Sequence, residues 1–318
     1  MNILTPLSFP VLPVPIVAAG ENAQKRFVEF FTANIRNINT RRAYIRAVND
    51  FFIWCERCGI KSVENIEPLH VAAWVEELTR RKAAPTVKQQ LAAIRMMFDW
   101  LVVGQIVPIN PAAAVRGPKH VVRKGRTPVL NESEARQLMK SIKTDTVIGL
   151  RDRAAIGLMI YTFGRVGAAM SMNVEDVFHQ GHKLWVRLHE KGGKSHKMPC
   201  QHNLEQYLLE YIEGSGIGND RKSPLFRSVD RRTKKLGARR LHPAECWHMV
   251  RRRARQAGIA TEVNNHTFRA TGITIYLKND GQLEKAAQMA AHSSTRTTQL
   301  YDRRDDEVSQ DEVERIRF

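Results

Sequence analysis

His266 and Arg269 stand three residues apart, so on a helix they share one face and can converge on a single oxyanion. His292 follows Arg269 by 23 residues, and Tyr301 follows His292 by nine, inside HSSTRTTQLY. Taken singly, each signal is bland. An HxxR pair is ordinarily a surface pair, and a tyrosine near a terminus ordinarily packs. Upstream, Gly164-Arg165 ends a helical stretch, and residues 189–199 (HEKGGKSHKMP) place Lys191 and Lys194 at a glycine turn. Imidazole, guanidinium, ammonium and phenol groups together suit chemistry on an anion, because guanidinium forks match phosphate oxygens.

The bulk numbers name the anion. The 318 residues carry 50 Lys+Arg against 32 Asp+Glu, a formal net charge of +18, which points to a polyanion and foremost to nucleic acid. Both parts of the chain are basic: residues 1–127 hold 18 basic and 9 acidic residues, and residues 128–318 hold 32 and 23. That even sharing suits a two-domain clamp around a duplex. The densest run, 221–255, holds 13 Lys/Arg and 2 acids, and would repel itself without phosphates. At 43% hydrophobic residues the chain can bury a real core, and no apolar run of about 18 residues offers a membrane span. Four cysteines exclude a disulfide framework and fit a reducing, cytoplasmic setting.

The elements that must position these groups follow from periodicity. Residues 1–20, with four prolines and no Lys or Arg, read as an extended or disordered arm. Residues 21–115 read as a helical DNA-clamp domain. One helix is expected from a cap at Asn39–Thr40 to Cys58 with Gly59 as its stop, a second opened by Pro68, and a third over 86–103. Residues 116–128, with two prolines, two glycines and five Lys/Arg, read as a basic linker. The remainder, 129–318, begins with the capping box Asn131-Glu132-Ser133-Glu134 and a helix from about Ile148 to Tyr161. Leu184, Val186 and Leu188 alternate with Trp185, Arg187 and His189, so 183–189 and 195–199 are expected to form a β-hairpin. Everything after residue 203 reads as helical. Fold class is therefore mainly α, with an α+β second domain holding a small antiparallel sheet. The tail 302–318 reverses sign, with seven acids and four bases, and suits docking on a basic neighbouring subunit rather than on DNA.

The order Arg165, hairpin lysine, HxxR, His, Tyr resembles the tyrosine recombinase (phage integrase) family, in its simple two-domain, Xer-like or mobile-element form. NTRRAYIRAVNDFFIWC and PTVKQQLAAIRMMFDWLV look like that family's helical, SAM-like core-binding domain, and NPAAAVRGPK like its interdomain linker. The resemblance covers most of the chain. It implies that Arg165, Lys191, His266, Arg269, His292 and Tyr301 are catalytic, with Lys194 the alternative to Lys191. The sequence departs from the family's pattern at Ala168, where a carboxylate is usual, at Ala270, and at Ala290-Ala291, where Leu-Gly is usual.

Those residue types fit a phosphodiester transesterification. Two arginines would hold the non-bridging oxygens and His292 would add a donor. Tyr301, with an ordinary pKa of about 10, would lose its proton to His266 and attack, while the hairpin lysine protonates the leaving 5′ oxygen. The product is a 3′-phosphotyrosine. Strand exchange through a Holliday junction then needs no ATP, and no metal or other cofactor is expected. Arg41, Arg42, Lys88, Arg95, Arg123, Lys124, Lys194, Arg239, Arg240, Arg251 and Arg252 are the expected DNA contacts. The partners implied are double-stranded DNA, a homo-tetramer on paired sites that is a monomer or weak oligomer when free, and an accessory directionality factor; no membrane is implied. Two other readings share the features: a type IB topoisomerase-like relaxation enzyme, and a catalytically idle DNA-binding regulator. The CxxC at Cys55–Cys58 continues an apolar stripe, the histidines 179, 182, 189 and 196 flank turns, and Glu175-Asp176 has no third carboxylate at a nuclease spacing; none reads as a metal site.

Overall fold

Asparagine and proline side chains set the helix starts of the N-terminal part of the chain. The computed structural model describes residues 12–122, 125–190, 193, 195–230, 232–233, 235–302 and 313–316. It divides into two units, Met1–Val121 and Val122–Phe318. Among its described residues unit one is all helical: α1 (Val14–Ala18), α2 (Glu21–Glu29) running into a π-turn over Phe30–Asn34, α3 (Ile38–Arg57), α4 (Pro68–Arg81) and α5 (Ala84–Val103). Asn37, two residues before the expected cap, accepts from the amides of Asn39 and Thr40 through its Oδ1. Pro68 and Pro85 sit in the first turns of α4 and α5, where no amide donor is needed. Phe27, Phe30, Phe31, Phe51, Phe52, Trp74 and Phe98 form an aromatic core, with Phe51 meeting Trp74 edge-on at 5.0 Å.

The expected extended arm is corrected for its described part. Pro13 caps α1, Pro15 lies in its first turn, and Ile16 is fully buried. Prolines that argue against a strand are equally suited to starting a helix. Residues 1–11 lie outside the described residues, as do Arg123, Lys124, Lys191, Lys194 and positions 303–312 of the tail.

Unit two carries α6 (Glu132–Ser141), α7 (Val147–Tyr161), α8 (Val166–Ser171), β1 (Val177–Gln180), β2 (Lys183–His189), β3 (Ser195–Pro199), α9 (His202–Ser215), β4 (Arg227–Val229), β5 (Leu236–Arg240), α10 (Pro243–Gln256), α11 (Asn265–Lys278), α12 (Leu283–Met289) and α13 (Thr295–Gln299). The expected capping box opens α6: Asn131 Oδ1 accepts from the Glu134 amide at 2.8 Å, and Glu134 accepts from the Asn131 amide at 3.1 Å. β1, β2 and β3 form one antiparallel sheet in that order, with Leu184, Val186 and Leu188 of the central strand turned into the core. The expectation of helix alone after residue 203 is corrected by the β4–β5 hairpin. Both strands are short, their pairing is irregular between Arg227 and Val229, and their basic residues hide the period-2 alternation.

Two local features fix the centre of unit two. Asp152 is fully buried and accepts from Arg151, Arg252 and Arg253, which ties α7 to α10. Gly272 lets α11 lie against the end of α7: a Cβ there would stand 2.1 Å from the Ile160 carbonyl oxygen and 2.8 Å from the Phe163 ring. Gly272 is three residues past Arg269, so this close approach brings that arginine to the turn that carries Arg165. Among the described residues, no helix is long and apolar enough to cross a membrane.

Candidate active site

Arg269 is at the hub. It lies in the first turns of α11, behind an N-cap in which Asn264 Oδ1 accepts from the amides of His266 and Thr267. The residue is 1% exposed, and its guanidinium donates to the carbonyls of Phe163 and Ala290, the latter at 2.6 Å, and to His292 Nε2 at 2.6 Å. Burial and the nearby Arg165 charge lower its pKa to about 10, while Tyr301 raises it through charge and a hydrogen bond. Arg269 thus cross-links α7's exit turn to α12's exit turn.

Both turns take unusual backbone. Phe163 and Ala291 have φ of 54° and 48°, the left-handed region that side chains rarely adopt. At Ala291 this explains a departure noted in the sequence: a glycine would fit there without the Cβ clash. Ala291→Gly is therefore expected to stabilise the protein by about 1 kcal/mol, with cleavage retained. An unchanged urea midpoint would rule out strain at this residue.

Arg165 caps α8 and is 37% exposed along its side chain; its Nη1 donates to Glu190 Oε2 at 2.6 Å. It lines a pocket of about 450 Å³ with Ala168, Ser171, His189, Glu190, Asn265 and His266. The carboxylate missing at position 168 is thus met by Glu190, at the end of β2. Desolvation, Arg269 and Arg165 hold the His266 imidazole below its ordinary pKa. Arg165 acts electrostatically on His266, Arg269 and His292 alike, so the two arginines and two histidines, 127 residues apart in sequence, share one site.

His292 and Tyr301 complete it. Their rings stack nearly parallel, with centroids 5.8 Å apart and planes 14° from each other. The Tyr301 backbone is pinned twice: its amide donates to the Thr298 carbonyl at 2.9 Å, and its carbonyl accepts from Thr274 Oγ1 at 2.8 Å. His292 Nδ1 is 2.9 Å from Thr298 Oγ1, and Nε2 faces Arg269. A guanidinium only donates, so Nε2 carries the lone pair and Nδ1 the proton. In this arrangement His292 supplies an acceptor to Arg269.

Desolvation and the two arginines push the His292 pKa down to about 4. The unfolded chain binds this proton near 6.5 and the folded chain only near 4, so the folded state is favoured fully above pH 6.5 and progressively less down to 4. The loss from this residue is at most about 3 kcal/mol. Urea midpoints measured across that window should fall with acid, and His292→Gln should flatten the slope; parallel profiles for the two proteins would contradict the assignment.

The expected DNA contacts divide. Arg42, Lys88, Arg239 and Arg252 are exposed. Arg239 also pairs with Glu245, and Arg252 with Asp152. Arg251 is half-buried, its guanidinium 4.6 Å from the Trp247 ring centre. Arg41, Arg95 and Arg240 hold main chain: Arg41 grips the Ile35 carbonyl, Arg95 the carbonyls of Ala112 and Val115, and Arg240 those of Met170 and Met172. That structural use was not expected of them, and it arises because a guanidinium fork fits paired carbonyls as well as phosphate. Glu190 and Thr298 were missed altogether. The one signal for Glu190 was its place beside Lys191, and Thr298 had none. Among the described residues, no cluster of His, Cys, Asp and Glu has the makings of a metal site.

Comparison with known proteins places this geometry. The phage integrase family model matches residues 128–307, and the model of the phage integrase N-terminal SAM-like domain matches residues 26–104. The tyrosine recombinase XerD of Chlorobaculum tepidum is 25% identical over 285 residues, covering 83% of this chain and 85% of that protein. The pre-cleavage complex of the XerH site-specific recombinase bound to difH superposes with a TM-score of 0.66 at 16% identity, over 93% of this chain and 95% of that one. A lambda integrase tetramer bound to a Holliday junction gives 0.66 at 16% identity, over 90% and 79%. At those identities the superpositions establish a shared fold.

Proposed function

The chain belongs to the phage integrase family and is a site-specific DNA recombinase of the tyrosine class, and from that premise we propose that Tyr301 is the nucleophile of a two-step strand transfer. In the first step the phenol oxygen attacks the scissile phosphorus, the bond to the 5′ oxygen breaks, and a 3′-phosphotyrosine forms. His266, its pKa lowered by burial and then by its cationic neighbours, takes the phenol proton. Lys191 protonates the departing oxygen. In the second step a 5′-hydroxyl from a partner duplex attacks the phosphotyrosine and releases Tyr301. The phosphodiester energy is kept in the covalent intermediate, so no nucleotide hydrolysis is needed.

Arg165 and Arg269 hold the non-bridging oxygens as charge gathers on the pentacoordinate phosphorus. The observation that carries the reading is the stack of Tyr301 on His292, which is itself bonded to the buried Arg269. It puts the Tyr301 phenol beside the Arg269 guanidinium, in the site that Arg165 shares.

The substrate is duplex DNA, recognised through the exposed bases of both units. The DNA-bound state of the XerH and lambda integrase structures supports that reading. A homo-tetramer is proposed on the same footing. In unit two, a groove lined by Met139, Ile160, Tyr207 and Tyr276 and flanked by Arg136 and Lys140 has the charge and apolar surface to receive the acidic 302–318 segment of a neighbouring copy.

A nicked duplex that traps the intermediate tests the nucleophile. The wild-type protein should form an adduct stable to detergent, and Tyr301→Phe should form none while binding the same DNA. An adduct with Tyr301→Phe would overturn the assignment.

A further inference from the structure

Glu190 is a buried carboxylate of this site that the reaction scheme leaves unused. Its side chain is 3% exposed, and its Oε2 stands 2.6 Å from Arg165 Nη1. Its second oxygen, Oε1, is buried with no hydrogen-bond partner. Burying a carboxylate is costly unless a matching cation meets it, and here that cation is Arg165. The pairing is asymmetric. Arg165 keeps more than a third of its side-chain surface in the pocket, while Glu190 keeps almost none. Among the described residues, Arg165 Nε and Nη2 make no hydrogen bond, so the outer edge of the fork is left for an anion.

The influence of Glu190 extends past that one bond. Arg165 depresses the pKa of Arg269, and Glu190 raises it, so the carboxylate offsets part of the repulsion between the two guanidiniums. Without an anion between them, two cations in a partly dry site would drive Arg165 outward until phosphate arrived. Ala168, which lines the same pocket one turn along α8, offers only a methyl group. Glu190 also directly follows β2, the central strand of the sheet that pairs β2 with β3.

The geometry points to Glu190 as a positioning residue for strand cleavage: its carboxylate fixes Arg165 in the phosphate-gripping orientation before DNA binds, and makes that orientation depend on the seating of the β2–β3 hairpin. The inference rests on the reading of Arg165 as a phosphate ligand. Glu190 itself does not touch the phosphate, since like charges would repel.

Single-turnover adduct formation on the nicked duplex, with DNA affinity measured in parallel, tests it. Glu190→Ala should slow adduct formation by about 10- to 100-fold, the usual effect of removing a residue that orients a ligand-gripping group. DNA affinity should stay within about twofold, because the phosphate contacts that set it lie elsewhere. Glu190→Gln, which keeps the shape and an acceptor but not the charge, should fall between, and acetate should restore part of the Glu190→Ala rate. In an Arg165→Lys background, Glu190→Ala should add little, since the two act as one unit. Wild-type cleavage by Glu190→Ala, or losses that multiply in the double variant, would overturn the proposal. Full cleavage by Arg165→Lys and Arg165→Ala would instead overturn the reading of Arg165, and the role of Glu190 with it.

Discussion

Arg269→Lys is expected to lower the rate of covalent adduct formation by about a thousandfold, as for the loss of a preorganised oxyanion donor. The Arg269 fork spans three acceptors at once: the Phe163 and Ala290 carbonyls and His292 Nε2. An ammonium is a point donor and cannot span them while also facing phosphate. The lysine variant should leave one carbonyl and the His292 lone pair unmatched in a buried space. His292 would then lose the partner that fixes its tautomer and, through the ring stack, the alignment of Tyr301. DNA affinity should change far less than rate, because Arg269 is 1% exposed and the salt-dependent grip belongs to surface bases. Rate and affinity falling together would mean that Arg269 acts in binding rather than in the transition state.

Asp152→Ala should cost about 3–5 kcal/mol of stability. The carboxylate is fully buried and receives three guanidiniums. Arg252 is half exposed and can turn to water, but Arg151 has a side chain only 3% exposed and would be left as an unpaired buried charge. Asp152→Asn keeps an acceptor oxygen and should lose less. Urea denaturation with the two variants side by side checks this; equal midpoints for Asp152→Ala and wild type would show that the cluster carries no net stability.

The fold was legible wherever burial imposes a period. Helices α3, α4 and α5 show their apolar faces plainly, and β2 shows strict alternation, because each presents one face to a core. The capping box at Asn131 was legible because its chemistry is local. β4 and β5 were not, since three and five residues rich in arginine carry almost no pattern. Of the site, the order and spacing of Arg165, His266, Arg269, His292 and Tyr301 resemble a known family's pattern, and the structure gathers those five. What the chain could not reveal were contacts set by tertiary approach. Glu190 reaches Arg165 only because β2 ends beside the α8 cap. Arg41, Arg95 and Arg240 looked like phosphate ligands because a free guanidinium and one holding a carbonyl have the same letter.

Thr298 gives the nucleophile and the histidine a common fulcrum. Fully buried, it holds His292 Nδ1 with its hydroxyl and the Tyr301 amide with its carbonyl. The tyrosine therefore cannot be withdrawn alone. A displacement that unseats Thr298 also takes the His292 acceptor away from Arg269, so the phenol and the guanidinium's partner leave their places in one movement.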